Sequence, residues 1–163
     1  MNRLDKEIIG LLCEDARLTP KQIAAALNVA ESEVAKRVSE LERQGVIVKY
    51  TAIVNTEGFD DDAVEALIEV KVTPQKGSGF DAIAGEIAAQ DEVQNLYLMS
   101  GGYDLAVIVR GKSLKEVSRF ISEKISTYAE VISTATHFIL KKYKVESAEM
   151  NAGIDKHRLS VQA

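Results

Sequence analysis

The chain has 163 residues, room for one medium domain or two small ones, and 46% of them are apolar, enough to bury a core. Its formal net charge of −5 argues against indiscriminate coating of nucleic acid, although a local basic footprint remains compatible with it. No apolar run approaches the roughly 18 residues of a membrane-spanning helix. The opening "MNRLDKEIIG" puts charges where a signal peptide needs its apolar stretch, so the sequence predicts a cytoplasmic protein with no membrane association. A single cysteine, Cys13, fits a reducing compartment and, within "IIGLLC", is expected to be a buried structural thiol. No Cys/His spacing suggests zinc.

In chain order, Leu4, Ile8, Leu11 and Leu12 recur at helical spacing. In "RLTPKQIAAALNV", Thr19 is a good N-cap, Pro20 fits the first turn and Gln22 closes a capping box. Ile23, Ala24 and Leu27 face inward, and Asn28 makes a short turn. A third helix presents Val34, Val38 and Leu41 on one face and ends at Gly45 as a left-handed cap. "VIVKYTAIV" alternates and predicts a strand. Helix, helix, turn, helix, strand is a winged helix-turn-helix layout.

The polar stretch Asn55–Ala63, with three successive aspartates, marks a boundary. Residues 1–60 carry a net −2 and the remainder −3, so neither part is basic. The second part predicts a strand at Ala63–Val72, a helix at Gly79–Gln90, strands at "VQNLYLMS" and "YDLAVIVR" joined by Gly101-Gly102, a helix capped by Ser113 with Glu116 closing its box, and a last strand "VISTATHFILKKYKV". "KGSG", Lys76–Gly79, reads as a strand-to-helix turn, because it lacks the spacing of a phosphate loop. The order βαββαβ is the ferredoxin-like split unit, with helices on one face of a four-stranded sheet. The fold class is therefore α+β. The domains are predicted as 1–54 (winged helix-turn-helix), 55–63 (linker), 64–144 (ferredoxin-like) and 145–163 (a polar tail, loosely held or touching a neighbouring subunit). The central strands are apolar on both faces: Leu105, Val107 and Val109 alternate with Ala106 and Ile108. One face packs on helices, and the other calls for a second copy, a sheet-to-sheet homodimer.

"LDKEIIGLLCEDARLTPKQIAAALNVAESEVAKRVSELERQGVI", "SGGYDLAVIVRG" and "VISTATHFILKKYK", in this order of domains, resemble the Lrp/AsnC (feast/famine) family of transcription regulators over residues 3 to 144. The resemblance implies DNA binding, dimers that assemble further (often to octamers), and a small effector, typically an amino acid, held between C-terminal domains known as RAM domains. Two positions depart from the family pattern. Ala30 stands where a serine usually caps the recognition helix, and Lys36-Arg37 where two arginines are common. Both bear on DNA affinity, as do Glu31, Glu33 and Glu40.

With Val34, Val38 and Leu41 buried, Ser32, Glu33, Lys36, Arg37 and Glu40 point outward. Ser32, Glu33 and Lys36 occupy the first turns, which meet base edges; lysine and arginine donate to guanine and glutamate accepts from cytosine. Arg43, Lys49, Lys21 and the N-terminal end of the second helix, Thr19 and Gln22, are candidates for phosphate. The alternative is a solvated helix laced by pairs such as Glu33–Arg37 and Glu40–Arg43. Few phosphate contacts per head mean weak binding unless assembly multiplies the heads.

An amino-acid effector needs N–H donors for its carboxylate and an acceptor for its ammonium. Gly101 and Gly102 can supply exposed amides with freedom of positive φ, Asp104 the acceptor and Tyr103 an apolar wall, with Ser100, Thr134 and Thr136 as neighbours. The alternative is a plain Gly-Gly hairpin turn in which Asp104 holds a backbone amide. His137 is read as a strand residue. No nucleophile–base pair, metal set or cofactor motif is found, so no catalytic residue is assigned. Two rivals remain: a partner protein that binds effector and co-assembles with a DNA-binding homologue, and a tetrapyrrole decarboxylase on the same plan. Neither a histidine cluster nor a basic cluster supports the second, with His137 and His157 the only histidines.

Overall fold

The computed structural model describes residues 2–56, 63–74, 77 and 79–150. Much of the predicted linker, part of the Lys76–Gly79 turn, and the tail from residue 151, His157 included, lie outside them. The chain divides into two compact units, Met1–Val54 and Asn55–Ala163.

The first unit holds α1 (Arg3–Glu14), α2 (Pro20–Leu27) and α3 (Glu31–Arg43). Each start has a local cause. Asn2 caps α1 in a capping box with Asp5, and Thr19 caps α2 in a box with Gln22, followed by Pro20. The α2–α3 turn is tight because Asn28 caps α2 in the left-handed region, at φ 54°. Ala30 gives α3 no side-chain cap; Glu31 and Glu33 in its first turn favour the helix dipole instead. Gly45, at φ 69°, ends α3, and the Val46 N–H reaches back to the Leu41 carbonyl at 2.9 Å. Ile8, Ile23, Ala24 and Val34 form the core, with Leu4, Leu11, Leu12, Leu18, Leu27, Val29 and Val38 packed around them.

Two expectations for this unit are corrected. Cys13 is exposed, not buried. It lies five residues from buried Ile8, about 140° around the helix at 100° per residue. The predicted wing strand is not formed: Val46–Thr56 carries no strand. Alternation supplies strand propensity, but a strand exists only where a ladder partner exists. This segment finds none among the described residues, and Val48 is 87% exposed.

The second unit is a four-stranded antiparallel sheet in the order β2-β3-β1-β4, built from β1 (Val64–Val72), β2 (Val93–Leu98), β3 (Leu105–Gly111) and β4 (Val131–Phe138). Helices α4 (Asp81–Ala88) and α5 (Leu114–Glu123) complete the βαββαβ unit. The core combines Ala66, Ile68, Val70 and Val72 of β1 with Leu105, Val107 and Val109 of β3, against Ile83, Ile87, Val117 and Phe120 of the helices. The opposite face carries Leu67 and Glu69 of β1, Ala106 and Ile108 of β3, Tyr97 of β2, and Ala135 and His137 of β4, which stand opposite one another in register.

Differences from the predicted elements have simple origins. The last strand stops at Phe138, opposite Ala66, where β1 is nearly spent; the Ile139 N–H makes one more bond to the Glu65 carbonyl. The first tail residues are ordered: β5 (Lys144–Val145) and β6 (Ala148–Glu149) form a hairpin through Glu146 and Ser147, both at positive φ as a type I′ turn requires. Met150 behind it is buried, and its carbonyl accepts from the Asn55 side-chain amide. At α5, Ser113 Oγ accepts the Glu116 N–H as expected, but the Glu116 carboxylate takes the N–H of Lys112, one residue before the cap, at 2.5 Å.

Candidate DNA interface and effector loop

Helix α3 displays Ser32, Glu33, Lys36, Arg37 and Glu40 along one surface. Its three basic residues are not equivalent. Lys36 is exposed, and among the described residues it pairs with no carboxylate. Arg43 donates twice to Glu40, Nη2 to Oε1 at 2.6 Å and Nε to Oε2 at 3.0 Å. The Glu40 carboxyl is held below the usual range, first by the Arg43 hydrogen bonds and then by Gln44. Arg37 does not pair with Glu33 as its i,i+4 spacing suggested. It leans back onto α1, where Nη1 lies 3.7 Å from Asp5 Oδ1, and its side chain is 39% exposed. The face is thus less basic than its composition: two of its three cations already have anionic partners.

Thr19, Lys21 and Gln22 are exposed at the start of α2. The Thr19 and Gln22 side chains are turned on each other by the cap, with the Thr19 N–H to Gln22 Oε1 at 2.9 Å. The N-terminal amides of α2 and Lys21 remain as the phosphate-facing groups of this end. Lys49 is exposed beyond α3, on a segment fastened back to the helix by Tyr50, whose hydroxyl donates to Glu42 at 2.9 Å. Burial and then that carboxylate push the Tyr50 hydroxyl up from its ordinary value.

In the second unit, Ser100–Asp104 is a single loop, closed by the Met99 N–H on the Asp104 carbonyl at 2.8 Å. It is wider than a two-residue turn, and neither Gly101 nor Gly102 is in the left-handed region, contrary to expectation. Their value lies elsewhere: a Cβ on either would meet nothing, and among the described residues no protein acceptor takes their N–H groups. The amides of these two exposed residues are therefore available to an anion. Tyr103 and Asp104 are half-buried. Asp104 Oδ2 accepts the Val72 N–H at 2.9 Å, which leaves the other oxygen for a cation.

Thr134 and Thr136 do not join this loop. They stand opposite Val70 and Ile68, on the helix-facing side of β4, with β1 between them and β3. Two strand spacings, about 10 Å, separate Thr134 from Asp104. Sequence reasoning missed the Asp5–Arg37 contact and the pairing of His137 Nε2 with Glu69 Oε1 at 3.4 Å on the open sheet face. The first had half a signal, the Asn2-x-x-Asp5 capping pattern; the second had none, because it depends on register.

Three packed helices in this order, joined to a βαββαβ unit with an open sheet face, define a DNA-binding regulator with a separate ligand-binding domain. Residues 1–48 match the family described as winged helix-turn-helix DNA-binding, and residues 65–149 match the Lrp/AsnC ligand binding domain. The chain belongs to the Lrp/AsnC family of transcriptional regulators. It is 42% identical to the uncharacterized HTH-type transcriptional regulator YugG of Bacillus subtilis (strain 168), over 96% of this chain and 95% of that one. It is 30% identical to the HTH-type transcriptional regulator FL11 of Pyrococcus furiosus, over 92% and 95%. Its fold is that of the leucine response regulatory protein LrpA of Mycobacterium tuberculosis, with a TM-score of 0.75, 24% identity and coverage of 92% and 99%. It is also that of the Neisseria meningitidis transcriptional regulator NMB0573, solved as a complex with L-Met, with a TM-score of 0.70, 21% identity and coverage of 89% and 93%. These matches make the protein a regulator rather than an enzyme. Among the described residues, no helix is long and apolar enough to cross a membrane.

Proposed function

We propose that this regulator reads DNA through α3, with Ser32, Glu33 and Lys36 at base edges and Lys21, Lys49 and the start of α2 on phosphates, and that an amino acid bound at the Ser100–Asp104 loop modulates its assembly or DNA binding. The observation that carries the effector reading is the loop itself: among the described residues, the N–H groups of exposed Gly101 and Gly102 have no protein acceptor, and the same loop holds the half-engaged carboxylate of Asp104. That pairing suits the carboxylate and ammonium of one small zwitterion. The L-Met complex of the Neisseria regulator supports the same ligand class. Thr134 and Thr136 enter such a site only from another subunit, so the reading includes assembly.

Assembly has its own support. Leu67, Ala106 and Ile108 form an apolar centre on the sheet face away from the helices. A second copy covering it yields a homodimer, and dimers joined near the effector loops yield the larger assembly, an octamer. The thermal shift of the full-length protein against a panel of the twenty common amino acids tests the effector reading. One amino acid should raise the midpoint in wild type and fail to do so in Asp104→Asn; an equal shift in the variant moves the site elsewhere.

A further inference from the structure

Asp5 is the buried charged residue among those described. Its two oxygens do different things. Oδ2 accepts the Asn2 N–H at 2.7 Å and completes the α1 capping box, while Oδ1 faces the Arg37 guanidinium of α3 at 3.7 Å. Capping α1 needs only one acceptor oxygen, and a neutral side chain can supply it. A full carboxylate there costs desolvation that a single long ion pair offsets poorly, so stability is a weak reason for its charge. Arg37 faces Asp5 at 3.7 Å, beyond hydrogen-bond distance, and is flanked on its own helix by Glu40, whose carboxyl it helps hold down. Its outward part stays exposed on the surface shared by Ser32, Glu33 and Lys36.

We infer that Asp5 is a positioning residue for DNA recognition: its carboxylate fixes the Arg37 guanidinium against α1 and withholds that charge from non-cognate phosphate. This rests on α3 being the helix that meets DNA. A guanidinium held in one place contacts a fixed point of a matching duplex, whereas a free one finds phosphates anywhere. Asp5 thereby trades non-specific affinity for discrimination, and the low net charge of this face follows from the same arrangement.

The test is a double-mutant cycle on the full-length protein with Asp5→Asn and Arg37→Ala. Asparagine keeps an oxygen for the Asn2 N–H. The probes are a duplex enriched by wild-type protein from a random pool and a scrambled duplex of equal composition, measured by anisotropy across a salt series. Asp5→Asn should tighten scrambled-duplex binding several-fold, steepen its salt slope by up to about 0.9 per subunit as Arg37 takes a phosphate, and lower the cognate-to-scrambled ratio. In the Arg37→Ala background the same change should alter neither ratio nor slope, whereas a folding defect at the cap would carry over into that background. Equal effects in both backgrounds, or an unchanged ratio in Asp5→Asn, overturn the inference alone. If no duplex is enriched at low salt, the DNA-reading role of α3 falls, and this inference with it.

Discussion

The Asp104 carboxylate accepts the backbone N–H of Val72 at 2.9 Å, tying the end of β1 to the loop that precedes β3. One side chain therefore has a structural oxygen and an oxygen left for a ligand. The two roles separate by substitution. Asp104→Ala should destabilise the protein by about 1–3 kcal/mol, the cost of losing a partly buried charge-assisted bond. Asp104→Asn should recover most of that through its amide oxygen, yet still lose the effector-induced shift, because a neutral amide holds an ammonium poorly. Thermal unfolding of both variants, with and without amino acids, reads the two effects independently.

Lys36 is exposed and about one helical turn from Ser32 and Glu33 on the same surface. Lys36→Ala should weaken specific DNA binding by about 1–3 kcal/mol if it donates to a base edge, or cut the salt slope by about 0.9 per subunit if it holds a phosphate. Thermal stability should be unchanged. A variant that binds DNA like wild type would remove α3 from the interface.

The faces of β3 make opposite predictions for neighbouring positions. Val107 is fully buried under the helices, so Val107→Lys should unfold the second unit, since a lone charge there has no partner. Ile108 points to the other face beside Leu67, so Ile108→Lys should leave the fold intact and yield monomers in analytical ultracentrifugation. A folded dimer of Ile108→Lys would place the subunit contact elsewhere.

At the α1–α2 turn, Arg17 donates to both oxygens of Asp15 at 2.9 Å and holds that carboxyl at about 2, below its ordinary 3.8. The shift is downward, so the carboxylate form favours the folded state. Its contribution is complete above 3.8 and disappears as pH falls through about 2. Carboxyl NMR titration should find the Asp15 midpoint there, and Arg17→Ala should return it toward 3.8. An Asp15 midpoint near 3.8 in wild type would show that the pair is not formed in solution.

What the sequence disclosed, and what it hid, divides by range. Caps were legible because a cap is a contact over three residues: Thr19 with Gln22, and Gly45 after α3, are written in adjacent letters. The order βαββαβ was legible because period-2 and period-3.6 patterns alternate cleanly. The Val46–Thr56 strand was misread because pairing is a property of two segments, and alternation describes one. The long last strand was overextended for the same reason: its ladder with β1 stops at the Ala66–Phe138 pair. At the candidate DNA face, the outward set was readable from buried Val34 and Leu41, but the diversion of Arg37 to Asp5 was not, because α1 and α3 meet only in the folded core. Thr134 and Thr136 were grouped with the loop by sheet membership, and the strand order separates them.

The central claim is that a face whose arginines are largely neutralised still recognises DNA once assembly multiplies it. The most direct test is fluorescence anisotropy of the full-length protein on the duplex upstream of its own gene, against a scrambled duplex, across a salt series. Saturable binding that beats the scrambled duplex and falls steeply with salt is the predicted result, with a slope several times that of one head. No binding to either duplex at low salt would contradict the claim and leave the protein as an effector-binding partner of another DNA-binding regulator.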